Sequence, residues 1–330
     1  MTALERLQNF LKKTGQAPKI EPLTPDASTR EYFRIRWNGA PAIACVYNEL
    51  FIPAEHTYLD VTRLFSAASL PVAGIFAFDG AEGVIVHEDF GNTILRDVLL
   101  DSGEAEREKY LDSAIGLIAR IQAATPKAYE LGSVASRLSF DFEKLSWELD
   151  FFTDHYFETL RKSPLGPVDA AALKNELDEV ARELAGRARV LAHRDFHAAN
   201  LMLDGHGRLR IIDHQDARIG TASYDLVSLL LDRVTELPSP EWLAGKRRFL
   251  LDERERLGLE RIAEDDFAHE FRLQTIQRCL KAIGTFSYQS VNRGKTYFLP
   301  YIEPMFRIVL RAAENLDKFP ALREIISRQL

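Results

Sequence analysis

Between residues 31 and 37 the chain alternates strictly, with Phe33, Ile35 and Trp37 on one side and Tyr32, Arg34 and Arg36 on the other. A period of two marks a half-buried strand. Asn38-Gly39 follows, a pair suited to a tight hairpin turn, and 42–47 supplies the returning strand. A helical period runs over 54–68 and stops ahead of Pro71. A second hairpin, 74–78 with 83–87 around Asp79-Gly80, completes a strand-rich stretch. Ahead of all this, Leu4, Leu7, Phe10 and Leu11 share one face of an amphipathic helix within 1–16. From about residue 93 the spacing becomes helical, over 104–124, 140–160, 170–188, 223–234, 264–286 and 300–316. Only 190–192, 201–203 and 208–212 read as strands there. The expected architecture is α+β and bilobal: a small β-rich N-lobe, residues 1–91, and a large helical C-lobe, residues 92–330, joined near Glu88-Asp89-Phe90-Gly91.

Composition narrows the class without naming it. Hydrophobic residues make up 46% and charged residues 28% of the 330, an ordinary balance for a chain with a large core. The net charge of −7 argues against a nucleic-acid partner. No apolar run approaches the ~20 residues of a membrane span, and 1–16 lacks the apolar core of a signal peptide. Cys45 and Cys279 make neither a disulfide framework nor a zinc set. The expectation is a cytoplasmic monomer without membrane or nucleic-acid partners.

The candidate chemistry lies in His193-Arg194-Asp195-Phe196-His197-Ala198-Ala199-Asn200, followed by Ile211-Ile212-Asp213. A loop–strand–turn–strand unit of this length can direct three side chains at one spot. Asp195 is a carboxylate placed to orient and deprotonate a hydroxyl. Asn200 offers a neutral oxygen and Asp213 a charged one, a pair suited to Mg²⁺, which takes one or two carboxylates and completes its shell with phosphates. Phosphoryl transfer asks for positioning and charge neutralisation more than covalent help.

His-x-Asp-x-x-x-x-Asn followed by Ile-Asp resembles the catalytic and metal loops of the aminoglycoside phosphotransferase/choline kinase family, a branch of the protein-kinase-like fold. The resemblance implies an ATP- and Mg²⁺-dependent kinase with ATP between its lobes, Asp195 as catalytic base, and Asn200 and Asp213 as Mg²⁺ ligands. Tyr224-Asp225-Leu226 resembles the family's following segment, in which Asp225 is a buried anchor. Residues 25–34, 211–217, 224–230, 277–286 and 292–295 are similar to bacterial anomeric sugar kinases that phosphorylate N-acetylmuramate or N-acetylglucosamine at C1. That subgroup implies a small sugar substrate and a sugar 1-phosphate product. Glu88 and Phe90 lie in the segment resembling the hinge, where backbone groups meet adenine. Glu148, in a stretch resembling the subgroup's Glu-Leu-x-x-Phe, is expected to accept from sugar hydroxyls. His197 and Arg293 are further acceptor-side candidates.

One departure stands out. Kinases of this fold carry a lysine on the third strand, but here no lysine occurs between Lys19 and Lys109. Ser28, Arg30 and Arg34 are therefore the candidates for the triphosphate. Two other readings remain open. Asp141, Glu143, Glu148, Asp150 and Asp154 would suit the cationic substrate of an aminoglycoside or amino-alcohol phosphotransferase. A nucleotide-binding pseudokinase regulator would have lost turnover along with the strand lysine.

Overall fold

The alternation at 31–37 becomes a strand in the middle of an antiparallel sheet. In the computed structural model, which describes residues 1–23 and 30–330, that sheet comprises β1 (Glu21–Leu23), β2 (Glu31–Trp37), β3 (Ala40–Val46), β4 (Ile75–Asp79) and β5 (Val84–Glu88). Their order is β1-β2-β3-β5-β4. Asn38 and Gly39 both take positive φ, and Trp37 pairs directly with Ala40, so β3 starts two residues earlier than expected. Such a turn follows the strands' own twist. Two elements belong to the same unit as the sheet. One is α1 (Ala3–Lys13), capped by Thr2 and Glu5 in a reciprocal capping box. The other is α2 (Thr57–Ala67). Leu7, Phe10 and Leu11 of α1 join Phe33, Ile35, Val46 and Val84 in one core cluster. Ser28 falls in 24–29, outside the described residues.

The described chain divides into two compact units, Met1–Gly103 with Ala198–Asp216, and Glu104–His197 with Ala217–Leu330. Gly91, the expected division point, lies within the first unit, and so does the later segment 198–216. That segment joins the first unit through sheet pairing: Leu201–Leu203 pairs with both Thr93–Ile94 and Leu209–Ile211. Such long-range pairing leaves no mark in local periodicity.

The second unit is built around the 29-residue helix Glu264–Asn292, which runs past the expected end at 286. The helix Phe142–Thr153 packs against it and continues as the π-helix Asp154–Leu160. Strands Val190–Ala192 and Arg218–Gly220 pair in this unit. The helices Pro240–Arg256 and Pro320–Ser327 were not expected from periodicity. No helix among the described residues is long and apolar enough to cross a membrane.

Where the long helix passes Phe152 the approach is close. A Cβ on Gly284 would lie 2.8 Å from Phe152 Cα and 3.0 Å from its amide nitrogen. Gly→Ala inside a helix ordinarily stabilises by about 1 kcal/mol. Here the added methyl meets backbone that cannot rotate away, so Gly284→Ala is expected to destabilise by about 1–3 kcal/mol. Urea unfolding would check the sign, and a variant more stable than the parent would contradict this packing.

Candidate active site

The loop after strand Val190–Ala192 holds its shape by a strained residue and a buried clamp. Arg194 has φ of 86°, the left-handed region that a side chain enters at a cost of about 1–3 kcal/mol. Asp225, buried at the start of the helix Tyr224–Leu231, accepts from the backbone N–H of His193 (2.7 Å) and of Arg194 (3.0 Å). The clamp thus holds the two amides that lead into the strained residue. His193 is fully buried, its ring edge-on to Phe196.

This geometry presents Asp195 to two cations of the long helix. Arg278 Nη2 lies 3.2 Å and Lys281 Nζ 3.6 Å from the same carboxylate oxygen, Oδ1. Arg194 Nε is 3.9 Å from Oδ2. Arg278 also donates to Ser228 Oγ at 3.1 Å. Burial alone would push the Asp195 carboxyl up, but Lys281, Arg278, Arg194 and His197 outweigh it and hold it far below the usual carboxylate range. Burial lowers Lys281, and the neighbouring Arg278 lowers it further. His197 is also lowered, by burial first, against the pull of Asp232 and Asp195; Asp232 Oδ2 lies 3.9 Å from its Nε2.

A polar relay fixes the register of the long helix. Thr221 donates to Gln274, Gln274 to Gln277, and Gln277 to Glu148 Oε2, each at 2.8 Å. Glu148 is fully buried, with Lys144 Nζ 3.3 Å from its other oxygen. It was expected to meet sugar hydroxyls. In the structure its carboxylate has no exposed surface, and the buried amide of Gln277 occupies one oxygen. Arg293 caps the end of the long helix, exposed, twelve residues beyond Lys281. At about 1.5 Å per residue that is roughly 18 Å along the axis, so it is not brought to Asp195.

In the first unit, Asn200 closes a short 3₁₀ turn, and its carbonyl accepts from Ile212 N at 3.1 Å. Asp213 follows in a left-handed conformation, φ 59°, which aspartate tolerates. Gln215 donates to its Oδ1 at 2.9 Å. Arg30 Nη2 is 3.6 Å from that same oxygen, and its guanidinium lies over the rings of Tyr32 and Tyr47. Arg30 thus occupies ground beside Asp213 on the sheet whose third strand lacks a lysine. Arg34 goes elsewhere: it pairs with Asp89 (2.6 Å) and donates to the Gly91 carbonyl and Asn92. It was expected at the triphosphate; the structure commits it to bracing 89–92. Glu88 accepts from Arg210 at 2.8 Å, and the Arg210 guanidinium lies 4.2 Å over the ring of buried Phe90.

Sequence reasoning assigned no role to Arg278, Lys281 or His214. The first two left a signal, since they are charges on a helix whose neighbours Cys279, Leu280, Ala282 and Ile283 are all apolar. His214 is buried, its Nε2 2.7 Å from Thr62 Oγ1 and its ring stacked on Tyr58 and Phe65, so α2 is tied to the residue after Asp213.

The donor set at Asn200 and Asp213 fits a hard cation. One amide oxygen and one partly exposed carboxylate leave most of an octahedral shell for water and phosphate, as Mg²⁺ prefers. No cluster of three or more His, Cys, Asp or Glu side chains suited to a metal occurs among the described residues.

A two-lobed α+β fold with these loops is the protein-kinase-like architecture. The sequence profile of the phosphotransferase enzyme family matches residues 19–259, and the chain belongs to that family. The N-acetylmuramate/N-acetylglucosamine kinase of Neisseria meningitidis serogroup B is 30% identical to it over 315 residues, 91% of this chain and 89% of that one. The kinase of the same name from Pseudomonas aeruginosa is 29% identical over 321 residues, 95% of this chain and 90% of that one. Among solved structures, the ADP-bound aminoglycoside phosphotransferase APH(2'')-Ib matches with a TM-score of 0.59 at 13% identity, covering 94% of this chain and 98% of its own. That match supports the fold. The chain is an ATP-dependent phosphotransferase with a hydroxyl acceptor.

Proposed function

We propose that the enzyme transfers the γ-phosphoryl group of ATP to the anomeric hydroxyl of a reducing N-acetylhexosamine, N-acetylmuramate or N-acetylglucosamine, giving a sugar 1-phosphate. The observation that carries this reading is the pairing of Asp195 Oδ1 with Arg278 and Lys281. A carboxylate so stabilised is a weak base, and a weak base serves the most acidic hydroxyl available. In a reducing sugar that is the anomeric hydroxyl, whose oxyanion is stabilised by the adjacent ring oxygen. The names of the two bacterial relatives support the same substrate class.

Asp195 accepts a hydrogen bond from the acceptor hydroxyl, aligns its oxygen for in-line attack, and takes the proton as the new bond forms. His197, whose Nε2 lies 3.9 Å from Asp232 Oδ2, belongs to the acceptor side. Asn200 and Asp213 hold Mg²⁺, which when bound neutralises phosphate charge. Arg30 supplies the guanidinium for the triphosphate in place of a strand lysine. The backbone of 88–90, braced by Arg34 and Arg210, meets adenine.

Arg30→Ala is expected to raise KM for ATP by about 10- to 100-fold, the loss of one charge-assisted contact, with KM for the sugar little changed. Unchanged ATP kinetics would remove Arg30 from the nucleotide site.

The aminoglycoside reading loses support from the same structure. Asp141 caps a helix, Asp150 pairs with Lys174, and Glu148 is buried, so three of the five acidic candidates are engaged internally. The cations around Asp195 would also repel a cationic acceptor. The test is ATP consumption with Mg²⁺ against free N-acetylmuramate, free N-acetylglucosamine, aminoglycosides and choline. The expected result is turnover on the reducing sugars. Turnover on aminoglycosides or choline alone would overturn the reading, and nucleotide binding without any turnover would favour a pseudokinase.

A further inference from the structure

Arg278 and Lys281 stand three residues apart on one face of the long helix and converge on one carboxylate oxygen, yet they are held differently. Arg278 is fixed, with hydrogen bonds to both Asp195 and Ser228 and a side chain only 6% exposed. Lys281 is not. Its ammonium lies 3.6 Å from Asp195 Oδ1, beyond hydrogen-bond distance, and no other carboxylate lies within ion-pair range among the described residues. Its side chain is 17% exposed, against 6% for Arg278. An ammonium with three donors is costly to enclose without acceptors. The geometry therefore leaves donors of Lys281 directed at whatever Asp195 holds.

We infer that Lys281 is the acceptor-side cation of the reaction: its ammonium donates to the acceptor oxygen at Asp195 and then to the phosphate ester formed there, while Arg278 is a positioning residue that fixes the carboxylate. The inference rests on the acceptor site assigned to Asp195 above. The transfer balances without another reactant. The acceptor oxygen bonds to the γ-phosphorus, the bond to the β–γ bridging oxygen breaks with its electron pair leaving on ADP, and the hydroxyl proton passes by way of Asp195 to solvent. A cation beside the acceptor oxygen stabilises charge as it arrives on the phosphoryl oxygens.

The test compares the parent enzyme with Lys281→Met and Lys281→Arg, using whichever acceptor the parent turns over. Lys281→Met is expected to lower kcat by about 10²- to 10³-fold, with KM for ATP within about threefold. Lys281→Arg should recover about tenfold or more of that loss, since it restores the charge. The melting temperature of Lys281→Met should stay level or rise, because a poorly compensated buried cation is gone. A second readout needs no turnover: calorimetric binding of N-acetylglucosamine 1-phosphate should weaken about tenfold or more in Lys281→Met. A Lys281→Met enzyme within about threefold of the parent in kcat, or one that melts early and is not helped by arginine, would overturn the inference. So would unchanged binding of the sugar phosphate. If the parent phosphorylates only a non-sugar acceptor, the sugar reading fails while the Lys281 comparison is still decided on that acceptor.

Discussion

Replacing Asp195 with asparagine is expected to lower kcat by about 10²- to 10⁴-fold, the range for a lost general base, with KM for ATP within about threefold. Asparagine keeps the shape and an oxygen that can still accept from Arg278. It loses the negative charge that, in the proposed mechanism, orients the acceptor hydroxyl and draws off its proton. Arg278 retains its bond to Ser228, so the long helix keeps its place. The loss should therefore fall on kcat. The direction of the Asp195 shift adds a pH signature. Its pKa is depressed in the folded state, so the carboxylate stays ionised well below its ordinary value of about 4. Its protonation should produce no acid limb in kcat above that pH. The stability it contributes is present above the unfolded-state pKa and is lost only as pH falls toward the folded value. Steady-state kinetics on both enzymes between mildly acidic and neutral pH would check this, and an Asp195→Asn enzyme within about tenfold of the parent would contradict the assignment.

Asp225→Ala should cost both stability and turnover. Asp225 satisfies the buried N–H of His193 and the part-buried N–H of the left-handed Arg194 itself. Removing it orphans both at about 1–3 kcal/mol each, and leaves a cavity besides. The two lost hydrogen bonds alone come to about 2–6 kcal/mol, a large share of the stability of an ordinary domain. The strained turn would also relax and carry Asp195 away from its place against Arg278. A displacement of about 1 Å at a reacting group costs on the order of 10²-fold in rate. Chemical unfolding together with kcat on the folded fraction separates the two effects. A variant that is destabilised but turns over normally would show that the clamp serves folding alone.

The parts of this fold legible in the sequence are those governed by local rules. The alternation at 31–37 and Asn38-Gly39 specify a hairpin because strand period and turn chemistry are both local. The two carboxylates and one amide of Asp195, Asn200 and Asp213 are legible as a candidate site because the motif that carries them, with its fixed separations, resembles that of the phosphotransferase family. The helix Pro240–Arg256 escaped notice because a dense set of charges blurs its apolar face. Yet Ser239 and Pro240 form a standard start signal, and Ser239 does cap Trp242 N. The joining of 198–216 to the first unit, and the convergence of Arg278 and Lys281 on Asp195 across more than eighty residues, depend on tertiary packing that no local pattern encodes. Glu148 illustrates the reverse error. A carboxylate on a helix that looks accessible by sequence is buried, because Gln277 supplies a hydrogen-bond partner from another element.

The most direct test of the account is the position of the phosphate in the product. With N-acetylglucosamine, ATP and Mg²⁺, proton–phosphorus correlation NMR should show the new phosphorus coupled to the anomeric proton, and the methyl glycoside, whose C1 oxygen is blocked, should not be phosphorylated. A phosphate coupled to the proton of another carbon, or equal turnover of the methyl glycoside, would contradict an enzyme built around a weakly basic Asp195 and an acidic anomeric hydroxyl.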